Sequence, residues 1–186
     1  MLFRSLLDKK IAILLATGFC DLDFGVFQKF FTSHGAHIKL ISVEQGLVTS
    51  WNDSNWGHNY AVDMPLNQAL ASDFIACMIP GGKRSLEKLT LSAHSGRFVN
   101  GFLSAGKTVV AMNHAVAYLN RMNIQDSDHL TDAVDRLRMK DSKVKAISEN
   151  KDSLHAVISE NENDSLEELA SIMFESSGFD TSKKAA

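Results

Sequence analysis

Four short, largely apolar runs constrain this chain more than any other feature: Ile11–Leu15, Ile38–Val43, Phe74–Ile79 and Thr108–Met112. Runs this short, without strict polar alternation, are what strands buried on both faces look like. The strongest, Phe74-Ile75-Ala76-Cys77-Met78-Ile79, stops abruptly at Pro80-Gly81-Gly82. Between the runs the spacing changes. Leu22, Val26, Phe27, Phe30 and Phe31 recur at helical intervals up to Gly35, and Phe98, Phe102 and Leu103 do so ahead of Gly106. Strands alternating with helices predict a doubly wound, mostly parallel α/β sheet of flavodoxin-like type, a three-layer sandwich. Functional residues in such folds gather at the carboxyl ends of the strands.

The rest of the chain extends this plan. Residues 48–62 are polar and turn-rich, which predicts a loop or hairpin with a strand at Asn59–Val62; Leu66–Leu70 reads as a short helix. A helix is expected from Ser127, which can cap it, through Leu130, Val134 and Leu137. Two late strands are expected at Lys143–Ile147 and Leu154–Ile158. A last helix, capped by Asp164 or Ser165, runs through Leu166, Leu169, Ile172 and Met173, after an acidic stretch from Ser159 to Glu168 that reads as solvated. The 186 residues suit one domain over residues 1–175, with 176–186 as a frayed tail. A net charge of −3 with no long basic block argues against a nucleic-acid partner. No apolar run reaches the roughly 18 residues of a membrane span. The start is a poor signal peptide, with charges inside it, and two cysteines make no disulfide framework, so a reducing cytoplasm is expected.

Three strand-end turns carry the chemistry: Gly18-Phe19-Cys20-Asp21, Pro80-Gly81-Gly82 and Asn113-His114. In Val109-Val110-Ala111-Met112-Asn113-His114-Ala115-Val116 an apolar run meets a helix start, the sharp turn on which such folds present a nucleophile. A carboxamide cannot attack a carbonyl as a thiol or hydroxyl does. Asn does tolerate the positive φ of an elbow, so Asn113 reads first as a structural elbow residue and second as a ligand contact. His34-Gly35-Ala36-His37 has a loose metal-like spacing but no accompanying thiol or carboxylate cluster, so neither a metal nor another cofactor is expected. Gly101-Phe102-Leu103-Ser104-Ala105-Gly106-Lys107-Thr108 matches the P-loop letter for letter, but it joins a helix to a strand, the reverse of what phosphate binding needs. Cys77, inside an apolar run, reads as core, and the role of His58 stays open.

Together these residues resemble the ThiJ/PfpI family of the class I glutamine amidotransferase-like superfamily. The resemblance runs from Lys10-Ile11-Ala12-Ile13-Leu14-Leu15 through Gly18-Phe19, Asp21-Leu22-Asp23, Ser33-His34-Gly35-Ala36, Ile41-Ser42-Val43, Val62-Asp63 and Ile79-Pro80-Gly81-Gly82 to Ala105-Gly106-Lys107-Thr108-Val109-Val110-Ala111. It implies a cysteine nucleophile followed by His-Gly, a glutamate after the first strand, and backbone amides near Pro-Gly-Gly that stabilise an oxyanion. Carried onto this chain, the nucleophile falls on Asn113, the histidine on His114, the glycine on Ala115 and the glutamate on Cys20. The pocket would then hold Asn113, Gly81, Gly82 and Asp21. The resemblance also implies a homodimer.

Two functional expectations follow. In the first, the chain has lost its nucleophile and is a non-catalytic small-molecule-binding, regulatory or stress-associated protein. In the second, Cys20 is a relocated nucleophile with His114 as its base, giving hydrolase, peptidase, glyoxalase or deglycase-like activity. Asp21 and Asp23 weigh against the second, since nearby negative charge disfavours a thiolate.

Overall fold

The computed structural model describes residues 6–105, 107–121, 144–147 and 155–158. In chain order its elements are β1 (Lys10–Leu14), β2 (Phe19–Cys20), α1 (Asp21–Ser33), β3 (His37–Ser42), β4 (Leu47–Asn52), β5 (Asn55–Ala61) and β6 (Met64–Pro65). There follow a 3-10 turn (Ala71–Asp73), β7 (Ala76–Ile79), α2 (Lys83–Thr90), α3 (Ala93–Ser104), β8 (Thr108–Met112), α4 (His114–Arg121), β9 (Val144–Ile147) and β10 (His155–Ile158). The expected helices from Ser127 and from Asp164 or Ser165, the acidic stretch, Gly106 and the tail 176–186 lie outside the described residues.

The four apolar runs form the middle of a sheet ordered β6-β3-β1-β7-β8-β10-β9, parallel throughout except where β9 runs against β10. Side chains on a strand alternate between faces, so each run feeds two cores. Ile11, Ile13, Met78, Val110 and Met112 pack with Phe24, Phe27 and Phe31 of α1. Ala12, Leu14, Cys77, Ile79, Val109 and Ala111 pack on the other face with Leu86, Leu89, Phe98, Val99, Phe102, Tyr118 and Leu119 of α2, α3 and α4. Apolar residues at both alternate positions are therefore required, because helices cover both faces. Each phenylalanine buried here contributes about 1.5–3 kcal/mol before its ordering entropy is subtracted.

Local signals explain where elements stop. Gly35, at φ +79°, ends α1: its N–H bonds to Thr32 O at 3.1 Å, and the Ala36 N–H bonds back to Phe31 O at 3.0 Å. The polar segment after β3 folds as the antiparallel hairpin β4–β5, and β4 also pairs with β2, giving a second, three-stranded sheet.

Two expectations require correction, and one helix is new. Leu22 does not lie on the buried face of α1 but is 50% exposed; the buried face is Asp23, Phe24, Phe27 and Phe31. Leu66–Leu70 is not a helix, because the Leu66 amide is committed to Ser42 O at the end of β3 and the next residues close as turns. Helix α2 was not anticipated, since Leu86 and Leu89 are the only apolar residues along a mostly polar octapeptide. Among the described residues no helix is long and apolar enough to cross a membrane.

Candidate functional site

The carboxyl ends of β1, β7 and β8 meet where the sheet order changes direction: β3 lies on one side of β1, and β7 and β8 lie on the other. Asn113 occupies the turn between β8 and α4 with φ +50°, in the left-handed region that Asn tolerates better than most residues. Its backbone turns sharply enough for α4 to begin at the next residue, His114.

Asp23 joins the three turns. This carboxylate is 4% exposed and accepts the Gly81 N–H at Oδ2 (2.8 Å) and the Asn113 carboxamide N–H at both oxygens (3.0 Å each). The amide nitrogen of Asn113 is thus the group that faces the carboxylate. The Cys20 N–H donates to Gly81 O at 2.8 Å, stitching the first turn to the second. A Cβ on Gly81 would sit 2.7 Å from Asp23 Oδ2 and 3.2 Å from Asn113 Cβ, so the site closes only over glycine. Gly82, at φ +112°, begins α2 against the first turn; a Cβ there would lie 2.8 Å from Phe19 Cα and 2.9 Å from Cys20 N.

The acid that reaches Asn113 is Asp23, three residues past Cys20. Helix α1 begins at Asp21, and its first turn brings residue 23 round to the same face as Phe27, where the side chain points under Gly81. The sequence signal was the spacing of Asp23 to Phe27, i to i+4 on a face that is otherwise apolar.

Cys20 is half-buried and sits immediately before α1, at its N-cap position. Burial pushes the thiol above its ordinary pKa; the Asp23 charge adds to this, and the N–H groups of Asp23 and Leu22, which pull it down, do not overcome the rise. His114 is exposed. Asp21 lies under the hairpin, where it accepts the Tyr60 hydroxyl at 3.4 Å and lies 3.7 Å from His58 Nδ1. Burial, and then the Asp21 charge, raise the Tyr60 pKa. The same hairpin brings Trp51 and Trp56 to Arg84 of α2, a grouping that sequence patterns did not show because its members come from separate elements.

The other sequence candidates separate. His34 Nδ1 lies 2.7 Å from Phe30 O, and His37 Nε2 lies 3.4 Å from Asp8 Oδ1. Among the described residues no three His, Cys, Asp or Glu side chains gather as a metal site. In the P-loop look-alike, Lys107 Nζ donates to the carbonyls of Phe74 (2.7 Å) and Ala71 (2.9 Å), so the lysine holds the 3-10 turn.

The family model described as DJ-1/PfpI family matches residues 9–162. A Bacillus subtilis (strain 168) protein named "Putative cysteine protease YraA" is 30% identical over 108 residues, which are 58% of this chain and 62% of that protein. The match thus spans less than two thirds of this relative. Among solved structures, oxidised Toxoplasma gondii DJ-1 superposes with a TM-score of 0.63 at 15% identity, over 90% of this chain and 92% of that one. A ThiJ/PfpI domain protein from Brachyspira murdochii gives 0.62 at 17% identity, over 93% and 96%. A two-domain protein from Anabaena variabilis, with DJ-1/ThiJ/PfpI-like and ferritin-like domains, gives 0.68 at 18%, over 96% of this chain and 52% of that one. These structures share the fold, the family model covers most of the sequence, and the chain belongs to the DJ-1/PfpI family.

Proposed function

We propose that this chain is a small-molecule-binding member of its family that does no covalent chemistry at the elbow, with a regulatory or stress-associated role and a homodimeric state. On this reading Asn113 stands where relatives carry a nucleophilic cysteine. The observation that carries it is the Asp23–Asn113 pair: the elbow side chain is a carboxamide with its nitrogen tied to a buried carboxylate. The Gly81 N–H, which the family resemblance would aim at an oxyanion, is taken by the same carboxylate. An oxyanion stabiliser must point at the reacting oxygen, and this one is already satisfied. A cysteine with a raised pKa holds little thiolate at neutral pH, which supports the same reading for Cys20.

The second reading, a hydrolase, peptidase, glyoxalase or deglycase using Cys20 with His114, is favoured by the name of the Bacillus relative. Two measurements separate them. Assayed on small 2-oxoaldehydes and on peptide and amide substrates, the purified protein is expected to give no turnover above background; turnover abolished by Cys20→Ser would sink the non-catalytic reading. Brief alkylation at neutral pH, read by mass spectrometry, is expected to modify Cys20 more slowly than a free small thiol. Faster labelling would favour the enzymatic reading.

A further inference from the structure

Both tryptophans of the chain sit on one arginine. The guanidinium carbon of Arg84 lies 4.4 Å from the ring centroid of Trp51 and 5.2 Å from that of Trp56. The two rings meet at 79° with centroids 5.1 Å apart, forming a corner around the cation. Trp56 is 54% exposed, which leaves an indole surface open to solvent.

The corner adjoins the first two strand-end turns, at Gly18–Asp21 and Pro80–Gly82. Trp51 is paired with Cys20 across β4 and β2, and Arg84 stands in the first turn of α2, two residues after Gly82, with its Cβ against the position a Cβ would take on Gly18. Among the described residues Arg84 has no ion-pair or hydrogen-bond partner, and its neighbour Lys83 adds a second exposed cation. The Asp21 carboxylate under the same hairpin is engaged by Tyr60 and His58.

An arginine packed against ring faces keeps its in-plane N–H donors free. Such a fork, already oriented, matches the two oxygens of a carboxylate or phosphate. The attraction between rings and cation fixes the side chain, so less rotamer entropy is lost when an anion arrives.

We propose that Arg84, Trp51 and Trp56 form an anion-recognition subsite beside the Gly18–Asp21 and Pro80–Gly82 turns. It takes the carboxylate or phosphate of a small molecule whose ring lies on the exposed face of Trp56. This names the ligand class for the small-molecule-binding reading above and rests on it, but it is tested independently.

The chain has no tryptophan outside this corner, so its tryptophan emission reports on the subsite alone. The full chain is titrated with phenyl phosphate, benzoate, inorganic phosphate and neutral benzyl alcohol, followed by emission and by calorimetry. Phenyl phosphate or benzoate should give a saturable change, and the tighter of the two identifies the preferred anionic group. Benzyl alcohol and inorganic phosphate should each bind about tenfold more weakly or worse, and R84Q should weaken the aromatic anions by about tenfold or more, the factor for losing hydrogen bonds to a charged group. R84K, which keeps the charge without the fork, should fall between R84Q and the native protein. No saturable response to either aromatic anion, equal affinity for benzyl alcohol, or unchanged binding by R84Q with native circular dichroism would each overturn the subsite. Anion binding that is lost in R84Q yet is indifferent to Asn113→Ala would uphold the subsite and count against a ligand held at the elbow.

Discussion

Replacing Asp23 by alanine tests the proposed architecture most directly. The carboxylate is buried and accepts from two donors, but the donors differ in their access to water. Gly81 is buried, so its N–H loses its acceptor with no replacement, a cost of about 1–3 kcal/mol. Asn113 is exposed, and water can take over its amide, so that half of the network contributes under about 1 kcal/mol. The desolvation regained by removing the carboxylate trims the total, leaving a net loss of about 1–3 kcal/mol. For a chain of this size that corresponds to a fall in Tm of about 2–12 °C. Equilibrium urea unfolding is the assay, and the midpoint should drop with an unchanged slope. Two comparators sharpen it. Asp23→Asn keeps an oxygen for Gly81 and should cost about 1 kcal/mol or less, and Asn113→Ala should cost a similarly small amount. Hydrogen exchange at the Gly81 amide should accelerate about 5- to 150-fold in Asp23→Ala, the same free energy read locally. If Asp23→Ala matches the native protein, or if Asn113→Ala costs as much as Asp23→Ala, then Asp23 does not hold the turns together as described.

Other expectations concern the same region. Gly82→Ala should lower the urea midpoint by the equivalent of about 2–6 kcal/mol, since it adds left-handed strain at φ +112° to overpacking against Phe19 and Cys20; a soluble variant of native stability would contradict this. Burial alone raises the Glu44 pKa, but hydrogen bonds from the Lys88 ammonium and the Thr17 N–H outweigh it and leave the carboxyl below its ordinary value. A depressed folded pKa gives stability that is present above the unfolded value of about 4.3 and is lost as pH falls through the folded value. Glu44→Gln should therefore flatten the fall in urea midpoint below pH of about 4, and identical profiles for the two proteins would refute the linkage.

The site was legible in part. Asn113 stood out because a strand run met a helix start with no nucleophile between them, and the left-handed backbone there is one that Asn suits. Gly81 and Gly82 stood out as the turn after the strongest apolar run. The acid was harder to find, because a helix turns 100° per residue and a small change in where α1 begins decides which side chain faces inward. Beginning at Asp21, the helix sends Asp23 inward and leaves Leu22 outside. The Arg84 corner had no local signature at all, since its partners lie in a hairpin and a helix separated by β6 and β7.

The sequence by itself determined the fold class and the position of the elbow. Strand and helix periodicities, and the turn residues that end them, act over a few neighbours and are written directly in the order of residues. Only the tertiary structure decided that Asp23 reaches across 90 positions to Asn113 and that Arg84 sits between Trp51 and Trp56. Such contacts depend on helix phase and on how the hairpin settles over the strand ends, and these are set by packing of the whole core.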